Sequence, residues 1–363
     1  SILIKNGRLI DPKEGLDQKF DIFVQDYTIE EIGENINRKA DVVIDAKDKW
    51  VVPGLIDIHV HLRDPGFEHK ETIQTGAMAA ARGGFTTICC MPNTNPVLDN
   101  EETLQYVNEK AKEVGIVHIL PIGAITKGQE GKELADIKEM VESGICAVSE
   151  DGRTVMDSGL LKEAMLETKK CNIPMLSHCE DIDLAKGFMN EGDNSALFGI
   201  KGTGNDAEDI ITARDIILAK YTGVTLHLCH VSTALSLEII RFAKSMGLEI
   251  TAETAPHYFS LTDERLKGKD TNAKMNPPLR THKDKEAVIQ ALQDNTLDVI
   301  ATDHAPHHSD EKNTEFELAP FGIIGLETSF AVSYTELVDS GILTPLELIE
   351  KMSTNPAKVL GID

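Results

Sequence analysis

Residues 51–61 read VVPGLIDIHVH, an apolar run that ends in two histidines separated by one residue. In a β-strand, residues i and i+2 point to the same side, about 6.6 Å apart along the chain. His59 and His61 can therefore reach one cation, because imidazole nitrogens bind Zn²⁺ at about 2.1 Å. The alternative is that both histidines lie at the end of the strand without binding a metal. From Val51 onward apolar strands alternate with helical segments, which indicates a βα fold.

Eight predicted strands follow one another along the chain. Their carboxyl ends fall near His61, Asn93, Gly123, Asp151, His178, His230, His257 and Asp303. The first five ends are 27 to 32 residues apart, which is the size of one βα unit. The sequence therefore predicts an α/β fold, a (β/α)₈ TIM-type barrel. An open doubly wound sheet fits less well, because it usually places its ligand at one switch point and uses few strand ends.

The organisation of the chain changes at about residue 50. Residues 1–50 alternate apolar and polar in short bursts between turn formers, which predicts the N-terminal part of a small β domain. The barrel is predicted over 51–345, and a C-terminal helix with the start of a return segment over 346–363. The acidic, turn-rich stretch 305–322 is the one long loop, and loops of that length in a compact domain are commonly lids.

Composition limits the classes of function. The 363 residues include 36 Lys and Arg against 60 Asp and Glu, a net charge of −24 that repels nucleic acid and anionic membrane surfaces. No apolar stretch approaches the roughly 18 residues that span a bilayer, and we expect no basic-then-apolar leader. The six cysteines form no CxxC pair, which favours a reducing cytoplasm. We therefore expect a soluble cytoplasmic protein that binds neither nucleic acid nor membranes.

Further donors stand at the same predicted rim. His178 and His230 each follow an apolar run, and Asp151 and Asp303 close the fourth and eighth predicted strands. We assign cation bridging to Asp151 and proton transfer to Asp303. For both aspartates the alternative is helix capping or turn formation, and Glu150 and Cys179 are adjacent competing donors. The chain lacks GxGxxG, GxxxxGK[ST], GxSxG and HExxH, which carry nucleotide, serine-hydrolase and thermolysin-like functions.

Four motifs carry a resemblance to a known family. They are DIHVHLRDPG at 57–66, MPNTNP at 91–96, KMNPPLR at 274–280 and TDHAPH at 302–307. They resemble the amidohydrolase superfamily and, within it, the class I dihydroorotases, with a match from about Ile2 to Asp363. The resemblance implies a zinc-bearing barrel that reversibly converts N-carbamoyl-L-aspartate to L-dihydroorotate in pyrimidine biosynthesis.

The resemblance also implies roles for individual residues. The implied zinc ligands are His59, His61, Asp151, His178, His230 and, in some states, Asp303. The implied substrate contacts are Arg63, Asn93, Asn276, His307, Phe321 and Gly322. Hydroxide formed on zinc would attack the ring amide carbonyl, and Asp303 would pass the proton to the departing ring nitrogen. Arg63 would clamp the substrate carboxylate with its planar fork, unless it forms only a rim salt bridge.

Several alternatives stay open at this point. The related hydantoinases, dihydropyrimidinases and allantoinases typically carry a carboxylated lysine where this chain has Ser149, Glu150 and Asp151. A different class of function is that of a non-catalytic barrel that serves as a scaffold for another enzyme of the pyrimidine pathway. One or two zinc ions, a homodimer, and association with another pathway enzyme are all compatible with the sequence. In the family a C-terminal segment normally returns to complete the small β domain, so we expect that domain to be incomplete here.

Overall fold

The computed structural model describes residues 1–362, and Asp363 lies outside the described residues. The N-terminal part is a five-stranded sheet formed by Ile2–Asp11 (β1), Leu16–Gln25 (β2), Thr28–Gly33 (β3), Val42–Asp45 (β4) and Trp50–Val51 (β5). β2 pairs antiparallel with β1 and with β3, whereas β4 and β5 each pair parallel with β1. Leu3, Phe23 and Ile36 form its buried cluster. The predicted small β domain is present.

Ten further strands follow. They are Leu55–Val60 (β6), Phe85–Cys90 (β7), His118–Ala124 (β8), Ala147–Ser149 (β9), Met175–Ser177 (β10), Met189–Asn190 (β11), Gly202–Thr203 (β12), Leu226–Leu228 (β13), Ile250–Thr254 (β14) and Val299–Ile300 (β15). All except β11 and β12 form one parallel sheet in the order β15-β14-β13-β10-β9-β8-β7-β6. A parallel bridge between Val60 and His304 joins its two edges. The predicted eight-stranded barrel is confirmed, and each predicted strand end lies within three residues of the observed one.

Thirteen α-helices accompany the strands within residues 1–362. They are Ile73–Gly83 (α1), Glu101–Val114 (α2), Ile137–Glu142 (α3), Ser158–Lys170 (α4), Asp193–Phe198 (α5), Asp206–Thr222 (α6), Ala234–Ser245 (α7), Pro256–Ser260 (α8), His282–Gln293 (α9), Ser309–Lys312 (α10), Ser329–Ser333 (α11), Pro345–Ile349 (α12) and Asn355–Leu360 (α13). Side chains of Asn100, Thr233 and Thr281 cap α2, α7 and α9 by accepting from backbone N–H groups. The predicted loop 305–322 contains the short helix α10, which starts at a capping His308.

The core has two layers around the barrel. One cluster lies between the strands and the surrounding helices, and another joins side chains of successive strands with Ala357, Val359 and Leu360 of α13. Ser353 donates to the carbonyl of Gly54 at 2.7 Å, just before β6 begins. The C-terminal helical segment therefore covers the amino-terminal end of the barrel and leaves the carboxyl end free. Within residues 1–362, no helix combines the length and the apolar character needed to cross a membrane.

Candidate metal centre

The residues predicted from the sequence gather at the carboxyl end of the barrel. Of the twelve candidates, eleven line one cavity of about 350 Å³: His61, Arg63, Asn93, Asp151, His178, His230, Asn276, Asp303, His307, Phe321 and Gly322. The twelfth, His59, is fully buried and contacts the same cluster. Donors that are more than 240 residues apart in sequence thus meet at one rim, as expected for a barrel.

Asp151 lies between the two histidines of the first strand. His59 Nε2 is 3.3 Å from Oδ1 of Asp151, and His61 Nε2 is 3.2 Å from its Oδ2. Both rings therefore point their Nε2 atoms at the same carboxylate, as the i, i+2 spacing predicts. These three residues form one group whose ligand atoms can hold a metal ion.

A second group shares the same carboxylate. His178 Nδ1 is 3.4 Å and His230 Nε2 is 3.5 Å from Asp151 Oδ1, and the two imidazole nitrogens are 2.9 Å apart. Asp303 lies 3.1 Å from His61 Nε2 and forms a third group with His59 and His230. The arrangement therefore offers overlapping positions for cations around Asp151.

Two atoms at the centre of these groups have no hydrogen-bond partner. They are His59 Nε2 and Asp151 Oδ1, both buried. Leaving a buried polar atom unpaired costs free energy unless another ligand satisfies it. Four imidazoles gathered around one carboxylate are a donor set that suits a transition-metal cation. The residues present therefore fit a metal ion.

The charges of the two aspartates suit the same role. Burial raises the pKa of Asp151, but the positive charge of His59 and the nearby rings of His178 and His230 outweigh burial and hold it well below its usual value. Burial likewise opposes ionisation of Asp303, yet the close approach of His61, together with the charge of His59, lowers its pKa. Both carboxylates are therefore anionic at neutral pH, as a cation ligand requires.

Glu253 and Asn93 orient the two histidines from outside. A carboxylate oxygen of Glu253 lies 2.6 Å from His59 Nδ1, and its other oxygen lies 3.1 Å from Nε2 of His227. Asn93 Oδ1 lies 2.8 Å from His61 Nδ1. These contacts fix the Nδ1–H tautomers and free each Nε2 for a metal. Sequence reasoning missed Glu253, whose only signal is that it is an acidic residue within a predicted apolar strand.

Three of the candidate residues adopt left-handed backbone. The φ angles are +63° at Arg63, +34° at His230 and +47° at Asp303. Such angles are uncommon for residues other than glycine and cost free energy, so they persist where the surrounding structure imposes them. All three residues follow barrel strands, and in this backbone conformation their side chains line the cavity at the rim.

On the open side of the cavity, Arg63 and His307 lie side by side. Arg63 Nε donates to the carbonyl of Pro306 at 3.1 Å, and its Nη2 is 3.4 Å from His307 Nε2. His307 Nε2 lies 2.7 Å from the carbonyl oxygen of Phe321, while Lys70 Nζ is 3.3 Å from Nδ1. His307 therefore donates from Nε2 and accepts at Nδ1. Burial and the charges of Arg63 and Lys70 lower its pKa to about 3, which keeps it neutral.

Other candidate donors turn away from the cluster. Glu150 accepts from the backbone N–H groups of Ile125 and Thr126, both at 3.0 Å, and Cys179 Sγ faces Ser177. His257 is buried but does not line the cavity. A larger cavity of about 720 Å³ opens at the amino end of β7 and β8, away from the metal groups.

Comparisons with known proteins agree with this geometry. A family model described as dihydro-orotase-like matches residues 48–236. A dihydroorotase from Ruminiclostridium cellulolyticum is 52% identical over 363 residues, covering 100% of this chain and 85% of the relative. One from Acetivibrio thermocellus is 53% identical with the same coverage.

Solved structures share the fold. An L-hydantoinase (dihydropyrimidinase) from Arthrobacter aurescens superposes with a TM-score of 0.87 at 26% identity, covering 99% of this chain and 82% of that one. A D-hydantoinase (dihydropyrimidinase) from a Thermus species gives 0.83 at 27% identity, covering 100% and 82%. The barrel and the small β sheet therefore recur in proteins of much lower sequence similarity.

Proposed function

The chain belongs to the dihydroorotase family and is a hydrolase of a cyclic amide, and from that premise we propose which of its residues carry out the reaction. The reaction is the reversible conversion of N-carbamoyl-L-aspartate to L-dihydroorotate in pyrimidine biosynthesis. The observation that carries the assignment is Asp151 shared by two groups of histidines at the mouth of the barrel. Beside them lies a cavity of about 350 Å³ with Arg63 and His307 on its open side.

We propose that the metal is zinc, held by His59, His61, Asp151, His178 and His230, with Asp303 as a ligand in some states. Imidazole and carboxylate donors suit zinc, although other divalent ions accept the same set. When bound, zinc acidifies water and polarises a carbonyl oxygen, which makes amide hydrolysis feasible near neutral pH. Asp151 is in contact with both halves of the donor set, which supports a bridging role.

Asp303 is proposed as the acid/base. It is buried, ionised and 3.1 Å from His61 Nε2, and it lines the cavity beside the metal groups, which supports a role in proton transfer. In ring opening, an oxygen of Asp303 accepts the proton that water releases as it adds to the carbonyl carbon. The same oxygen delivers that proton to the ring nitrogen as the C–N bond breaks. In cyclisation the two transfers run in reverse.

Arg63 is proposed to bind the substrate carboxylate. The substrate is an anion and the protein carries a net charge of −24, so the pocket needs a local positive potential. Arg63 supplies a planar fork of donors, which suits bidentate binding of a carboxylate. His307, Asn93 and Asn276 are proposed as further polar contacts, and the backbone of Phe321 and Gly322 as the contact to the ring.

The test is metal analysis paired with an activity assay on the same preparation. We expect bound zinc and hydrolysis of L-dihydroorotate that a chelator abolishes and added zinc restores. Hydantoin and allantoin, assayed side by side, should be poor substrates, because the fourth strand ends in Ser149, Glu150 and Asp151 without a lysine. Faster turnover of hydantoin than of dihydroorotate would contradict the substrate assignment, and a preparation rich in another metal would contradict zinc.

Three remaining proposals concern organisation and setting. We propose domain boundaries near residues 50 and 345, with the C-terminal helix after them. A cytoplasmic location is proposed because the six cysteines are all free thiols. The proposed partner is a second copy of the chain or another enzyme of pyrimidine biosynthesis, and sedimentation of the purified protein distinguishes a monomer from a homodimer.

A further inference from the structure

Two buried lysines lie behind the wall of the cavity that Phe321 and Gly322 form. Lys274 is 1% exposed and Lys312, the last residue of α10, is 8% exposed. Lysine is almost never fully buried unless it is paired, because burying an ammonium group is costly. The hydrogen-bond partners of both side chains are backbone carbonyls, not carboxylates. The positions of these carbonyls show which segment of the chain the two ammonium groups hold in place.

Lys274 binds the chain just before the wall. Its Nζ donates to the carbonyls of Phe316 at 2.8 Å, Glu317 at 3.2 Å and Ala319 at 2.6 Å. An ammonium has three N–H donors, so this group is saturated. The same Nζ lies 4.5 Å from the ring centre of Phe321 and 5.3 Å from that of Phe316, within reach of cation–π attraction.

Lys312 completes the arrangement from the other side. Its Nζ donates to the carbonyls of Thr271 at 3.0 Å, Lys274 at 3.1 Å and Pro320 at 2.8 Å. The two lysines together therefore hold four carbonyls of the segment 316–320. They also tie that segment to the backbone of Thr271 and Lys274.

The segment continues directly into the wall of the cavity. Gly322 N–H donates to the carbonyl of Lys274 at 3.0 Å, and the carbonyl of Phe321 accepts from His307. Gly322 has φ +135°, and a Cβ there would lie 2.5 Å from the carbonyl oxygen of Ala305 and 3.0 Å from His307 Nε2. Gly322 is therefore packed closely against Ala305 and His307, and the carbonyls that the lysines hold lie directly before it in the chain.

We propose that Lys274 and Lys312 are positioning residues that hold segment 316–322 in place as the substrate-facing wall of the pocket. The proposal rests on the proposed function, because it takes dihydroorotate as the ligand of that wall. Neither lysine touches the metal groups. Their loss should therefore weaken substrate binding more than it slows the chemical step.

Lys351 offers a matched control. It is also 1% exposed, and its Nζ donates to the carbonyl of Leu297 at 2.8 Å and to Asn295 Oδ1 at 2.9 Å. These partners lie before β15, at the opposite end of the barrel. Lys351→Met removes a buried ammonium of the same kind without touching the wall.

The test compares Lys274→Met, Lys312→Gln and Lys351→Met for KM, kcat, zinc content and amide hydrogen exchange of a peptide spanning 313–322. We expect Lys274→Met to raise KM for dihydroorotate about tenfold, the effect of losing one or two net hydrogen bonds, with kcat changed less than about threefold. In the same variant, amide hydrogen exchange in residues 313–322 should be faster, and the zinc content should be unchanged. Lys351→Met should lower the melting temperature and leave KM and that exchange as in the unmodified chain.

Unchanged KM and unchanged exchange in Lys274→Met would overturn the proposal, as would equal effects in Lys351→Met. If Lys274→Met does not fold, Lys312→Gln decides by the same readouts, since Lys312 lies at the less buried edge of the pair. Should the unmodified chain fail to turn over dihydroorotate, the proposed function falls. Hydrogen exchange then still decides whether the lysines hold the segment.

Discussion

Nδ1 of His59 lies 2.6 Å from a carboxylate oxygen of Glu253, although the two residues are 194 positions apart in sequence. Glu253 sits on β14 and also binds His227, so one buried acid joins three strands below the metal groups. Carboxylates in this position hold the histidine ring and raise its basicity as a ligand.

Glu253→Gln should therefore weaken zinc binding about 10- to 100-fold, because the amide is neutral and loses the charge that supports His59. The measurement is zinc occupancy in competition with a chelator of known affinity. Asp284→Asn, another buried carboxylate at the start of α9, is the control and should keep its zinc. Equal zinc affinity in Glu253→Gln and the unmodified chain would show that Glu253 only packs the core.

Asp303→Asn should keep most of its zinc and lower kcat about 10²- to 10⁴-fold, the usual contribution of general acid/base catalysis. The amide retains the size of the side chain but cannot accept the proton. Steady-state hydrolysis of dihydroorotate and zinc analysis on one sample check this. Asp310→Asn, at an exposed position of α10, should be neutral. Wild-type turnover in Asp303→Asn would remove it from the proton path.

Arg63→Lys should lower kcat/KM about tenfold or more, since an ammonium cannot make the two parallel bonds of a guanidinium. It also loses the Nε bond to Pro306 that orients the side chain. Initial rates at low substrate concentration report the change. The exposed Arg82→Lys in the last turn of α1 serves as the comparison. If both variants behave alike, Arg63 lies outside the binding site.

His257 should make the fold sensitive to acid. Burial lowers its pKa to about 4, from a value near 6.5 in the unfolded chain. Between pH 6.5 and pH 4 the unfolded chain gains this proton and the folded chain does not. The contribution of His257 to the free energy of unfolding is therefore intact above pH 6.5 and declines as the pH falls toward 4. Between pH 7 and pH 5 this should cost about 2 kcal/mol in the free energy of unfolding.

Urea unfolding at both pH values tests the effect in the unmodified chain and in His257→Gln, which should lose about 2 kcal/mol less over that interval. His282→Gln, with an exposed ring on α9, should retain the full sensitivity. The same acid loss in all three proteins would assign it to other groups.

The candidate residues at the barrel rim were easier to predict from the sequence than the residues that hold them in place. His178, His230 and Asp303 stand directly after apolar runs, and the carboxyl ends of barrel strands meet at one face, so their proximity follows from the topology. Glu253 was missed because its partner is remote and a single acid in a strand gives no spacing to recognise. Lys274 and Lys312 bind backbone carbonyls, which no residue pattern marks. The roles of all twelve candidate residues stay predictions until variants are measured.

A single side chain, Asp151, belongs to both groups of histidines. If two cations bind here, occupation of one position changes the affinity of the other, and by thermodynamic reciprocity the second changes the first by the same factor. The binding of two ions at this rim would then be a linked equilibrium, which two independent dissociation constants do not describe.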